Sequence, residues 1–178
     1  MVEACAVDRR KQRKERRQEQ VQEEILDAAR RVLLSRGVAG LTLAAVAREV
    51  QLTKAALYYY FASKDALVFE LVYLGLESHA AVVGDVVERT RSGPDAIEAL
   101  IRASADHYGT HRDQMRLAYL VPQVGGFGTL PFDAEMLERI RPFNDRIYGA
   151  VAERIREDQR AGRIDSSIDA RRLAFLAH

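Results

Sequence analysis

The chain has 178 residues, 48% of them hydrophobic, only four prolines and a formal net charge of +1, which is enough length for a buried core and one to two domains. It has no run of eighteen apolar residues, so no membrane span is expected. The first twenty residues lack an apolar signal core and carry Arg9, Arg10, Lys11, Arg13, Lys14, Arg16 and Arg17, so no secretory signal is expected. The single Cys5 excludes an internal disulfide, and a cytoplasmic protein is the simple reading.

In chain order, residues 1–18 read as a basic, disordered arm that becomes helical toward Gln18; seven of the nine residues 9–17 are Lys or Arg. A helix is expected over 20–36, with Val21, Ile25, Ala28, Ala29, Val32 and Leu33 as its apolar stripe and Gly37 and Gly40 ending it. Thr42 is an N-cap before Leu43, Val46, Ala47 and Val50 at helical spacing, and Thr53 is a second N-cap eleven residues later. Leu57 and either Tyr60 or Phe61 should point inward from the helix that Thr53 opens. Two capped helices of about two turns each, joined by a few residues, are the layout of a helix-turn-helix. The second carries small residues near its start, which let a backbone approach DNA, and tyrosines near its end, whose hydroxyls reach phosphates.

Ser63 caps a longer helix with Asp65 and Glu70 in its early turns and Leu67, Leu71 and Leu74 along it, extending toward residue 91. Ser92-Gly93-Pro94 breaks the pattern, and helices over 95–111 and 112–120 follow. Residues 122–131 hold three glycines between two prolines and read as a flexible loop. Asp133 opens another helix, bent near Pro142 and ended by Gly162; Asp169 caps a last helical segment over 170–178. No strand pattern persists, so the fold class is all-α. Charge is unevenly spread: residues 1–64 hold 13 basic and 8 acidic side chains, whereas residues 65–178 hold 14 and 18. A basic half coinciding with a helix-turn-helix, joined to an acidic half, is the electrostatic footprint of a nucleic-acid reader.

The run over 41–64 resembles the DNA-binding domain of the TetR family of transcriptional regulators. The residues that carry the resemblance are Leu41-Thr42-Leu43, Val46-Ala47, Gln51-Leu52-Thr53, Leu57-Tyr58-Tyr59-Tyr60-Phe61 and Ser63-Lys64-Asp65-Ala66-Leu67, with Ile25 to Ala29 and Arg36-Gly37 upstream. Three positions depart from the family pattern. Gln51 stands where a turn glycine is usual, Leu43 replaces the second threonine of a pair, and Ala55 replaces a glycine or proline. The resemblance implies a three-helix DNA-binding domain over 19–64 and a helical ligand-binding and dimerisation domain over 65–178. It also implies that the chain stops within the penultimate helix, short of a four-helix dimer interface.

Carried over by position, Thr53, Lys54, Ala55, Ala56, Tyr58 and Tyr59 would face DNA, and Thr42 and Lys64 would grip the backbone. Lys54 would contact a phosphate or a guanine edge, and Ala55 or Ala56 a thymine methyl. The alternative for Tyr58, Tyr59 and Tyr60 is packing as core aromatics. Arg13, Arg16 and Arg17 of the arm are candidate phosphate contacts, each adding about −0.9 to the slope of log affinity against log salt; the alternative is a solvated tail. In the body, His107, Tyr108, His111, Met115, Tyr119, Phe127, Phe132, Met136, Phe143 and Tyr148 are candidate lining for an apolar cavity with polar tips, against the alternative of ordinary core packing.

His107 and His111 lie four apart, flanked by Asp106 and Asp113, but no third group of metal-ligand spacing accompanies them. Two solvated histidines are the simpler reading; no metal and no cofactor is expected. No phosphate-binding glycine loop or nucleophile motif is present, so no enzyme activity is expected. The resemblance thus points to a homodimeric regulator of double-stranded operator DNA, most often in this family a repressor, responsive to a small apolar or aromatic effector. The alternatives are a DNA-binding module without sensing, and a basic RNA- or membrane-associated protein resting on the arm alone.

Overall fold

The first 36 positions contain neither glycine nor proline, and the computed structural model runs one helix, α1 (Val2–Gly40), through them. It describes residues 2–118 and 133–176, without the side chains of 2–9, 38 and 118. The basic segment expected to be a disordered arm is therefore the N-terminal part of α1. Arg, Lys, Gln and Glu are straight-chain residues that lose little rotamer freedom in a helix, so a dense charge run does not break one. Gly37 does break the helical path, at φ 67° and ψ −176°, a conformation open to glycine and costly for other residues.

Two compact units, Met1–Leu71 and Val72–His178, divide the chain. In the first, Ile25, Leu26, Ala28, Ala29, Val32 and Leu33 of α1 are buried, as the stripe requires. α2 (Leu43–Glu49) and α3 (Lys54–Tyr60) begin at the expected caps: Thr42 Oγ1 accepts from the Ala45 N–H and Thr53 Oγ1 from the Ala56 N–H, both at 3.1 Å. Each cap supplies an acceptor to an otherwise orphaned helix N–H, worth about 1 kcal/mol. The turn between α2 and α3 is a Schellman closure: the Gln51 N–H donates to Arg48 O at 3.3 Å and the Leu52 N–H to Ala47 O at 2.9 Å. It requires a left-handed residue, and Gln51 takes that role at φ 55°. A side chain pays about 1–2 kcal/mol there, partly matched by the greater unfolded-state entropy of a glycine. Gln51→Gly is expected to stabilise the unit by about 0.5–1 kcal/mol, read from the midpoint of urea denaturation; a lower midpoint would show that the Gln51 side chain makes compensating contacts.

α4 (Lys64–Glu88) starts at Ser63, whose hydroxyl accepts from the Ala66 N–H at 3.0 Å. By length and composition alone α4 is apolar enough to cross a membrane, although Glu70, Glu77 and Asp85 interrupt it and it holds no unbroken run of eighteen apolar residues. Half of its most apolar stretch is buried within the protein, as in the core helix of a folded domain. The unit boundary falls within this helix.

The second unit continues with α5 (Gly93–Thr110), α6 (Arg112–Ala118), α7 (Ala134–Asn144), a π-helical turn (Asp145–Gly149), α8 (Ala150–Arg160) and α9 (Ala170–Leu176). The expected glycine-rich loop over 122–131 lies outside the described residues. Asp133 caps α7, its Oδ1 accepting from the Met136 N–H at 2.8 Å. The predicted bend near Pro142 takes the form of the π turn that follows it. Proline withholds an N–H from the helical ladder, and the chain continues in a wider helical turn. Val83 and Val87 of α4, Leu100 of α5, Ile147, Val151 and Ile155 around α8, and Ala170 and Ala174 of α9 form one apolar core. Among the described residues there is no strand; the fold is all-α.

A buried carboxylate ties this core together. Asp158 is 1% exposed; its Oδ2 accepts from the Gly93 N–H at the start of α5 at 2.8 Å, and its Oδ1 from Arg163 Nε at 3.0 Å. Those bonds, the Gly93 N–H first, hold its pKa below the ordinary value of 3.8. A side chain at Gly93 would be crowded: a Cβ there would lie 3.2 Å from the Ile155 Cα and 3.0 Å from Ile164 Cδ1. Gly93→Ala is accordingly expected to lower the melting temperature, through strain against backbone that cannot rotate away.

Candidate nucleic-acid interface

α3 separates its two faces by burial. Leu57 and the following Phe61 are 0% and 3% exposed and anchor it from within. Thr53, Lys54, Ala55, Tyr58 and Tyr59 are exposed and Ala56 half-buried, so the predicted DNA-facing set shares the outer surface. Tyr58 and Tyr59 are 45% and 68% exposed, against the alternative of core aromatics, while Tyr60 is half-buried. One turn apart, Lys54 Nζ lies 5.7 Å from the Tyr58 ring centroid, a cation–π contact that keeps the ammonium near the tyrosine. The Tyr59 ring meets Tyr60 edge to face at 5.2 Å. Thr42 is exposed at the start of α2, its hydroxyl engaged as the cap, and Lys64 is half-buried at the start of α4.

The arm residues Arg13, Arg16 and Arg17 are exposed on α1. Sequence reasoning missed the residue that connects them to α3: Gln18 Nε2 donates to the Tyr59 hydroxyl oxygen at 2.6 Å. No local pattern announces a bond across forty-one positions.

The ten candidate lining residues of the body fall into separate groups. Tyr119, Phe127 and Phe132 lie outside the described residues. His107 and Tyr108 flank His79, a residue not singled out from sequence, and His111 reaches only His107. His79 is 2% exposed, stacks on Tyr108 at 4.8 Å between centroids, and shares a 3.0 Å hydrogen bond with Ser104 Oγ. The expectation of two solvated histidines holds for His111 only. His107 is 5% exposed, hydrogen-bonds Gln114 Oε1 at 2.7 Å and stacks on His111 at 4.5 Å. Its place on the apolar stripe of α5, beside Leu100, Ala103 and Ser104, buries it. Among the described residues no group of three or more His, Cys, Asp or Glu is placed to hold a metal ion.

Phe143 packs edge to face on Tyr73 at 5.1 Å, with the Arg139 guanidinium 4.7 Å from the same tyrosine's centroid. Tyr148 lines a groove of about 400 Å³ with Asn144, Asp169, Arg171, Arg172 and Phe175. Burial pushes the Tyr108 and Tyr148 hydroxyls up to about 12, and proximity to Tyr108 adds to the effect on Tyr148, so both stay protonated at neutral pH. Met115 is exposed and Met136 half-buried.

The family model described as "Bacterial regulatory proteins, tetR family" matches residues 25–71, which cover the buried stripe of α1, α2, α3 and the start of α4. The HTH-type transcriptional regulator Rv1816 of Mycobacterium tuberculosis (strain ATCC 25618 / H37Rv) is 32% identical over 131 residues, which are 70% of this chain and 53% of that protein. The chain thus spans about half the length of the curated relatives it matches. Among solved structures, a protein of unknown function from Rhodococcus sp. RHA1 is similar with a TM-score of 0.64 and 26% identity, over 88% of this chain and 76% of that one. A TetR family transcriptional regulator, PfmR from Thermus thermophilus, shares the fold with a TM-score of 0.65 and 18% identity, over 86% and 78% of the two chains. With the helix-turn-helix and the matched stretch agreeing with the resemblance read from sequence, residues 25–71 form a domain of the tetR family of bacterial regulatory proteins.

Proposed function

We propose that the protein is a cytoplasmic, non-enzymatic transcriptional regulator that reads double-stranded operator DNA as a homodimer, and that it is a repressor released by a small apolar or aromatic effector. The observation that carries this reading is the outer face of α3: Thr53, Lys54, Ala55, Tyr58 and Tyr59 turned to solvent on a helix fixed from behind by Leu57 and Phe61. Residues 19–64 would form the reader and 65–178 the sensing and dimerising body. Thr42 and Lys64 would hold phosphates to either side of α3, and Ala56 would face the groove with Ala55.

Effector binding in the body would act through α4, which contains residues of both units. A ligand that prefers the arrangement with the wrong spacing of recognition helices would take the dimer out of register with half-sites one helical turn apart. The groove beside Tyr148 and Phe175 supports a ligand with an aromatic surface. Selection from a pool of randomised duplexes tests the reading: enrichment of two-fold-related half-sites is expected, together with a dimeric mass by light scattering. A pool that stays random after repeated rounds would overturn it.

A further inference from the structure

The positive charge of the reader lies almost entirely outside its helix-turn-helix. Residues 9–17 hold seven basic side chains and one acidic; residues 18–64 hold six basic and five acidic. α3 itself contributes one cation, Lys54. The phosphate attraction that dominates DNA affinity must therefore come largely from the first third of α1. That segment is helical and continuous with the buried stripe at Ile25. At about 100° per residue, Arg10, Arg13, Arg16 and Arg17 fall within an arc of about 120° on one face, and Gln12, Glu15 and Glu19 on the other. All four arginines are exposed. Lys11 lies 3.9 Å from Glu15, an exposed pair of little energetic consequence.

Gln18 sits at the base of this charged stretch, between it and the packed part of α1. Its amide donates to the Tyr59 hydroxyl on the outer face of α3, where Tyr59 is 68% exposed. A phenol can accept one hydrogen bond while donating another. With Gln18 occupying the acceptor side, the Tyr59 proton remains to donate to a phosphate. We propose that residues 10–17 form a rigid cationic rod that lies along a phosphate backbone of duplex DNA, and that Gln18 is a positioning residue whose bond to Tyr59 fixes the rod relative to the recognition helix. This rests on the reading of the protein as a duplex-DNA regulator. It goes beyond that reading by replacing independent phosphate contacts from Arg13, Arg16 and Arg17 with one rod that includes Arg10 and takes its register from α3.

The test is the salt dependence of binding of the 178-residue chain to a mixed-sequence duplex of about thirty base pairs, by fluorescence anisotropy. Changing Arg10, Arg13, Arg16 and Arg17 together to alanine preserves helix propensity. It should reduce the slope of log affinity against log salt by about 3–4. Gln18→Ala removes no charge, yet should reduce the slope by about 1–2 and weaken binding about 5- to 10-fold at about 0.1 M salt, because a rod set at the wrong angle loses phosphates. Tyr59→Phe should lower the slope as much and weaken binding further, because it also removes the hydroxyl that donates to phosphate, and Gln18→Ala with Tyr59→Phe should be no worse than Tyr59→Phe alone. Far-ultraviolet circular dichroism establishes that each variant keeps its helix content. An unchanged slope in the four-arginine variant would overturn the rod while leaving the DNA reader intact. A reduced slope there with an unchanged slope in Gln18→Ala would overturn the positioning role of Gln18. A wild-type chain that does not bind duplex at all would remove the underlying reading and the rod with it.

Discussion

Changing Lys54 and Tyr58 together to alanine is expected to weaken duplex binding about 100-fold at moderate salt while leaving the fold intact. Lys54 is the one cation on α3, and Tyr58 lies one turn away with its ring beside the ammonium. A charge-assisted contact and a neutral hydroxyl contact together account for roughly two powers of ten in affinity. Both side chains are exposed, so their loss should leave the melting temperature nearly unchanged. The salt slope should fall by about one if Lys54 holds a phosphate, and hardly at all if it reads a guanine edge. The single changes should not add, because removing either partner also releases the other from their cation–π contact. Wild-type affinity in the double variant would mean that α3 is not the reading element. It would also separate the tetR-type reading from that of a protein that binds polyanions through its basic stretch alone.

The reader was legible in sequence because its determinants are local. A cap needs one hydroxyl at the right position, and Thr42, Thr53 and Ser63 each accept the bond that their positions imply. Gln51 was legible for the same reason: the turn requires a left-handed residue wherever the sequence places it. Two kinds of feature were not legible. The charge density of the arm resembles that of a solvated tail, although the helix propensity of its residues favours the helix seen. The polar residues in the body were missed because their partners come from distant helices. His79 follows Val72 and Gly75 at helical spacing, and Asp158 follows Val151 and Ile155, so each sits on a buried stripe. A polar side chain interrupting an apolar stripe was the available signal; it announces burial, but its partner is fixed only by the fold. Residue type alone does not bring the pocket candidates together, and packing distributes the described ones into several places.

Asp158 carries the larger consequence for stability. Changing it to asparagine is expected to lower the melting temperature at neutral pH by about 5 °C or more, because one oxygen cannot serve both donors. The carboxylate accepts from the Gly93 N–H with one oxygen and from Arg163 with the other. An amide must present its own NH₂ to one of them, leaving a donor at the start of α5 or on Arg163 without an acceptor. The pH dependence identifies the charge as the cause. Since the folded protein holds the Asp158 pKa below its ordinary 3.8, the ionised group contributes stability above that value. The contribution is lost as pH falls through the lowered folded value. Glu153 and Asp165 are also held below their ordinary range, by Arg160 and Arg156 in one case and by Ser167 in the other, so both proteins lose stability in acid. The difference between them is the informative quantity: wide at about pH 6, it should narrow as the pH falls below about 4. A difference that stays constant from about pH 6 to about pH 3 would assign the effect to the shape of the side chain, and the link from α8 to the start of α5 would then be one of packing alone.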